Sequence, residues 1–122
     1  MKIAVTSTGP GIDSTVDERF GRARYFLVVD LETENVETID NTANMEAKQG
    51  AGVQAAQEVV NQGAQWILTG HVGPKAFQAL SMAGISIGTG AAGTVRETVD
   101  RFRAGEFAPA EAADVQRGTK WD

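Results

Sequence analysis

Arg19, Arg22 and Arg24 stand around Gly21, immediately before the apolar run Tyr25-Phe26-Leu27-Val28-Val29. A guanidinium keeps its charge and presents a planar fork of donors, so arginines at the entrance to a strand favour an anion. Gly21 lets the backbone bend and approach such a ligand closely. Arg22, directly after it, is the foremost candidate contact, and the bland alternative pairs these arginines with Asp17, Glu18 or Asp13. The chain has no cysteine, which excludes disulfides, zinc–thiolate sites and thiolate-bound iron–sulfur clusters. A metal-bearing anion would therefore be held by charge and hydrogen bonds. His71 is the only histidine, so two-histidine metal sites are excluded as well. Met45 and Met82 offer soft thioethers but suit gap filling better. The pattern reads as a binder, not an enzyme.

With 122 residues, 42% of them hydrophobic and 22% charged, the chain is expected to form one domain with a real core. No apolar run approaches the roughly 18 residues of a membrane span, and Met1-Lys2-Ile3-Ala4-Val5 lacks a signal-peptide layout. A cytoplasmic protein with no membrane contact is expected. The net charge of −5 argues against nucleic acid. Asp30, Glu32, Glu34, Glu37 and Asp40 lie together with no base between them, so the acidity is local and reads as a solvated hairpin.

The elements that would position the arginines follow from punctuation. Residues 2–7 read as a buried strand broken by Thr8-Gly9-Pro10-Gly11, with a polar loop running to Gly21. Residues 25–29 form a second strand, 31–35 a turn, and 36–39 a half-exposed third strand. Val53, Ala56, Val59 and Val60 share a helical face stopped by Gly63. Trp66-Ile67-Leu68 is a strand. Pro74 opens a helix that buries Phe77, Leu80 and either Ala76 or Ala83, and Gly84 stops it. Ile85-Ser86-Ile87 is the last strand. Thr94-Val95-Arg96-Glu97 matches a capping box, Val95, Val99 and Phe102 face inward, and Gly105 ends the helix. The order β-β-β-α-β-α-β-α predicts an α/β domain over 1–107 with a mixed five-stranded sheet. Residues 108–122 read as a loose tail, with Trp121 the one group that could anchor it.

Loops following parallel strands open on one sheet edge, where α/β proteins commonly bind ligands. The candidate binding residues are therefore Thr6, Ser7, Arg19, Phe20, Gly21, Arg22, Gly50, Gly52, Gly70, His71, Gly73, Lys75 and Gly90, with His71 and Met45 the only side chains suited to touch a metal. Gly88-Thr89-Gly90-Ala91-Ala92-Gly93 fits G-x-G-x-x-G. The βαβ unit and distant acid of a dinucleotide site do not follow it, so it reads as a helix-start turn.

Several separated stretches resemble one family. Asp17-Glu18-Arg19-Phe20-Gly21-Arg22-Ala23 followed by Tyr25-Phe26, then Gly50-Ala51-Gly52, Gly73-Pro74-Lys75-Ala76-Phe77 and Ala83-Gly84-Ile85, are similar to the dinitrogenase iron–molybdenum cofactor-binding family. Its members include the NifX- and NafY-type carriers. The resemblance runs from residue 1 to about 107 and implies a ribonuclease-H-like, three-layer α/β/α fold. It implies carriage of a metal–sulfur cluster. Many members carry histidine where this chain has Arg19, which removes imidazole ligation at that point. The chain most resembles stand-alone members that hold a molybdenum–copper sulfide cluster without covalent attachment. That cluster is the expected cargo, ahead of the iron–molybdenum cofactor, and a protein partner in a complex is expected beside it. The rival reading is an interaction module of a multiprotein, cell-division-type complex with no obligatory metal, using the acidic hairpin. A nuclease of this fold is excluded locally, because Ile3-Ala4-Val5-Thr6-Ser7 carries no carboxylate.

Overall fold

Ile3 and Val5 of the first strand project into one apolar cluster and Ala4 into another, so that strand is buried on both sides. That requires a layer of helix above and below it. The computed structural model describes residues 1–46 and 50–113. Within them run β1 (Lys2–Ser7), β2 (Tyr25–Asp30), β3 (Val36–Asp40), α1 (Thr42–Met45), α2 (Ala51–Asn61), β4 (Trp66–Leu68), α3 (Pro74–Met82), β5 (Ser86–Gly88) and α4 (Val95–Arg103).

The sheet has the order β3-β2-β1-β4-β5. β2 pairs antiparallel with β1 and with β3, whereas β4 runs parallel to β1 and to β5. Ala4, Phe26, Val28, Ile67 and Ile87 pack under α2 and α3 with Ala55, Val59, Ala76 and Leu80. Ile3, Val5, Leu27, Val29 and Leu68 pack under α4 with Val95 and Val99. This is the mixed five-stranded α/β arrangement expected from the sequence.

Three local expectations fail for physical reasons. The one-turn helix α1 precedes α2 and was missed, since four residues are too few to show a helical period. α2 buries Ala51, Gly52, Ala55, Ala56 and Val59, while Val53 and Val60 remain 45% and 37% exposed. Its rotation is set by Gly52, whose backbone packs against Gly21, and that contact turns the small residues inward. β3 is an edge strand exposed along almost its whole length, with only Ile39 half-buried, so the expected half-exposed alternation is absent.

Helix ends follow the glycine punctuation. Gly63, Gly84 and Gly105 lie just past α2, α3 and α4 with φ of +76°, +78° and +78°, the left-handed conformation that glycine adopts without strain. Beyond α4 the Phe107 ring lies against Gly88, and the Ala110 N–H donates to the Ile87 carbonyl at 2.7 Å. The outer edge of β5 is thereby covered, within the stretch expected to be a loose tail from residue 108. Trp121 lies outside the described residues.

Exposed carboxylates tie loops together and lie below their ordinary values. Arg96 hydrogen-bonds Asp13 at 2.7 Å, the N–H groups of Glu32 and Thr33 hold Asp30, Thr42 holds Asp40, and Thr94 holds Glu97. Folded values below the ordinary 3.8 for aspartate and 4.5 for glutamate mean that this stability is complete above those values. It is lost as pH falls through them toward the folded values. The urea midpoint is expected to stay level from pH 7 to about 5 and to decline below about 4.5. A midpoint that rises on acidification would contradict these contacts.

Candidate functional site

β1, β4 and β5 end at Ser7, Leu68 and Gly88 on one edge of the sheet, and the segment 17–21 is laid across that edge. Asp17 N–H donates to the Thr6 carbonyl at 3.0 Å, and the Asp17 carbonyl accepts from Thr6 Oγ1 at 2.6 Å. Thr6 Oγ1 also lies 2.9 Å from Thr69 Oγ1; its one proton is spent on Asp17, so Thr69 donates that bond. Further along, His71 N–H donates to the Glu18 carbonyl at 2.7 Å, and Arg19 and His71 form a parallel bridge. The crossing is close. A Cβ at Gly70 would stand 2.7 Å from Glu18 Cα, and one at Gly21 would stand 2.7 Å from both N and Cα of Gly52. Glycine at these two positions is what lets the loop lie between the start of α2 and the loop before α3.

Two helices open beside this loop. α2 has Gly50 as its N-cap and α3 has Gly73, with Pro74 in the first turn; neither has a side-chain cap or an acid in that turn. With no acid in either first turn, the positive ends of their dipoles favour an anion. α4 is the contrast. Thr94 and Glu97 form a complete capping box, so its terminus is already satisfied by an oxygen and a negative charge. The Gly88–Gly93 run is the turn leading into that capped helix, with φ of +78° at Gly90 and +75° at Gly93.

The arginines are sorted rather than pooled. Arg19 Nε lies 3.4 Å from Asp17 Oδ1. Arg22 donates from Nη1 to the carbonyl of Met45, the last residue of α1, at 3.1 Å. Arg24 is exposed, with its guanidinium 5.7 Å from the centroid of the Tyr25 ring. Asp13, one of the acids considered for these arginines, pairs with Arg96 instead.

Other candidates separate in the same way. Thr6 and Ser7 are fully buried, and the Ser7 hydroxyl donates to the Gly9 carbonyl at 2.7 Å, so both hydroxyls serve the fold. Phe20 is also fully buried, its ring centroid 5.5 Å from that of Phe26, and it belongs to the core under α2 and α3. Chain position put these three at the edge, and their side chains are buried. Gly21, Gly52 and Gly70 shape the crossing. Gly50, Gly73 and exposed Lys75 stand at the helix starts, and half-buried His71 flanks Arg19.

Among the described residues no group of three or more His, Cys, Asp or Glu is arranged to hold a metal ion. The donors on offer are N–H groups and a guanidinium, which engage the outer acceptor atoms of an anion and not a bare cation. Sequence reasoning missed the burial of Asp17, whereas helix starts opening on this edge were part of its expectation. Glycine before each helix, without an acid in the first turn, is the signal that carried that expectation.

Together these features define a small three-layer α/β/α domain whose parallel strand ends and two helix starts meet at one sheet edge. The chain belongs to the dinitrogenase iron-molybdenum cofactor family, which it matches over residues 1–105. It is similar to the apo form of the orange protein from Desulfovibrio gigas, with 50% identity and a TM-score of 0.91 over 93% of this chain and 96% of that one. A putative NifB protein from Thermotoga is 34% identical with a TM-score of 0.78, covering 88% of this chain and 91% of its own. An uncharacterized protein of Methanocaldococcus jannaschii is 29% identical over 110 residues, 88% of this chain and 89% of its own.

Proposed function

We propose that this protein binds and carries a molybdenum-containing metal–sulfur cluster without covalent attachment and without catalysing a reaction. A molybdenum–copper sulfide cluster is favoured over the iron–molybdenum cofactor. The observation that carries the reading is the pair of glycine-capped, acid-free helix starts flanking Arg19. A sulfide-coated metal cluster is a polyanion whose surface atoms accept hydrogen bonds, and its metals already have ligands. It needs donors and positive potential from the protein, not thiolates. Gly50, Gly52, Gly73, Lys75, Arg19 and His71 are the residues assigned to it, with Gly21, Gly70 and Gly90 shaping the mouth. Family membership and the likeness to the orange protein support the same class of ligand.

A carrier hands its cargo on, so a protein partner belongs to the proposal, and the exposed, acid-bearing β3 is the surface left for one. Cytoplasmic work is part of it too. Among the described residues no helix is long and apolar enough to cross a membrane.

Apo-protein mixed with tetrathiomolybdate and a copper salt is expected to retain both metals and a visible charge-transfer band through gel filtration. Retention is expected to weaken in high salt, since screening shortens to about 3 Å at 1 M. Protein that leaves the column colourless and metal-free across a range of pH overturns the reading.

A further inference from the structure

Asp17 is the one buried carboxylate among the described residues, 6% exposed. Burial of a charge is costly unless a partner matches it. Its Oδ1 accepts the Arg19 backbone N–H at 3.0 Å and faces Arg19 Nε at 3.4 Å. The carboxylate is not what holds the segment down. Asp17 N–H and C=O are already tied to Thr6, at 3.0 and 2.6 Å. The side chain is thus kept buried behind a single arginine.

That arginine is engaged from one side only. Nε faces Asp17, while the two terminal nitrogens of Arg19 have no partner among the described residues, and the side chain is 32% exposed. Arg19 also bridges to His71 at the mouth between the helix starts. A guanidinium gripped at Nε has its plane set, and its outer pair of nitrogens can donate in parallel to two acceptor atoms on one centre.

We infer that Asp17 is a positioning residue that orients Arg19, so that the two terminal nitrogens clasp two acceptor atoms of one tetrahedral thio- or oxometallate dianion. This rests on the functional reading above and narrows its ligand to a class. A lysine at position 19 would keep the charge but lose the two-point clasp.

The test is equilibrium binding of tetrathiomolybdate alone, measured as molybdenum retained on ultrafiltration, for wild type, Arg19→Lys, Asp17→Asn and the double variant. Arg19→Lys is expected to lose about tenfold in affinity, and Asp17→Asn roughly threefold. The double variant is expected to lose no more than Arg19→Lys. The carboxamide oxygen introduced by Asp17→Asn still accepts the Arg19 backbone N–H, and only the contact with the guanidinium is weakened. A purely structural Asp17 would instead add its loss to that of Arg19→Lys. Molybdate should displace the probe from wild type better than chloride at equal ionic strength, and Arg19→Lys should lose that preference.

Additive losses, or equal competition by chloride in wild type, overturn the assignment while leaving cluster binding in place. Wild type that binds no tetrathiomolybdate, alone or with copper, overturns the functional reading and this inference with it. Circular dichroism checks folding. If Asp17→Asn does not fold, Arg19→Lys still decides, since wild-type affinity in that variant overturns the clasp.

Discussion

Phe20→Ala is expected to lower the unfolding free energy by about 3–5 kcal/mol, a loss typical of removing a buried aromatic ring. The side chain is fully buried and tilted against Phe26, and Ala23 and Val28 belong to the same cluster. Nothing in a packed interior can move in to refill a space that large, so lost transfer energy and lost contacts add. For a domain of this size the melting temperature should fall by at least about 10 °C. Thermal melts followed by circular dichroism measure it. The result also decides the role of Phe20. A variant that melts like wild type but no longer retains a cluster would return Phe20 to the site.

Gly21→Ala is expected to be the most damaging single-carbon change for binding. Its Cβ would sit 2.7 Å from two backbone atoms of Gly52, and backbone cannot swing aside as a side-chain tip can. Either the loop lifts or α2 slides, with a cost of about 1–3 kcal/mol. Both movements separate Arg19 from the α2 start, so cluster retention should fall along with the melting temperature. Gly63→Ala, past the opposite end of α2, is the matched control. It meets no atom within 4 Å but has φ of +76°, so it strains the backbone without displacing the start of α2. The expected outcome is a melting temperature lowered in both variants and metal retention lost chiefly in Gly21→Ala. Equal retention in the two would mean that the loop–helix contact does not shape the site.

These contrasts mark where sequence reasoning succeeds. Strand cores and helix stops were legible because their causes are local: Tyr25 to Val29 is aromatic and β-branched, and Gly63, Gly84 and Gly105 adopt a conformation other residues resist. The capping box at Thr94 and Glu97 was legible for the same reason. The buried face of α2 was not, because it depends on Gly52 meeting a residue 31 positions earlier in the chain (52 − 21). The arginine cluster was legible as positive charge but not as three separate assignments. Arg22 goes to Met45, Arg24 to the Tyr25 ring and Arg19 to Asp17, and each choice depends on which neighbour the tertiary fold supplies. Phe20 illustrates the converse. Its place in a motif beside arginines suggested ligand contact, whereas a large apolar ring at a loop crossing is most valuable as a plug beneath it.

The Ala110 N–H on the Ile87 carbonyl has a practical side for anyone handling the molecule. The family match ends at residue 105, which invites trimming the chain there. A chain cut at that point would lose Phe107 from over Gly88 and would bare the main-chain groups along the margin of β5. Unpaired strand margins recruit other strands, so the shortened domain would gain a route to self-association that the longer chain blocks with its own backbone. The few residues past the shared domain therefore act as a selvedge, keeping the weave from catching on its neighbour.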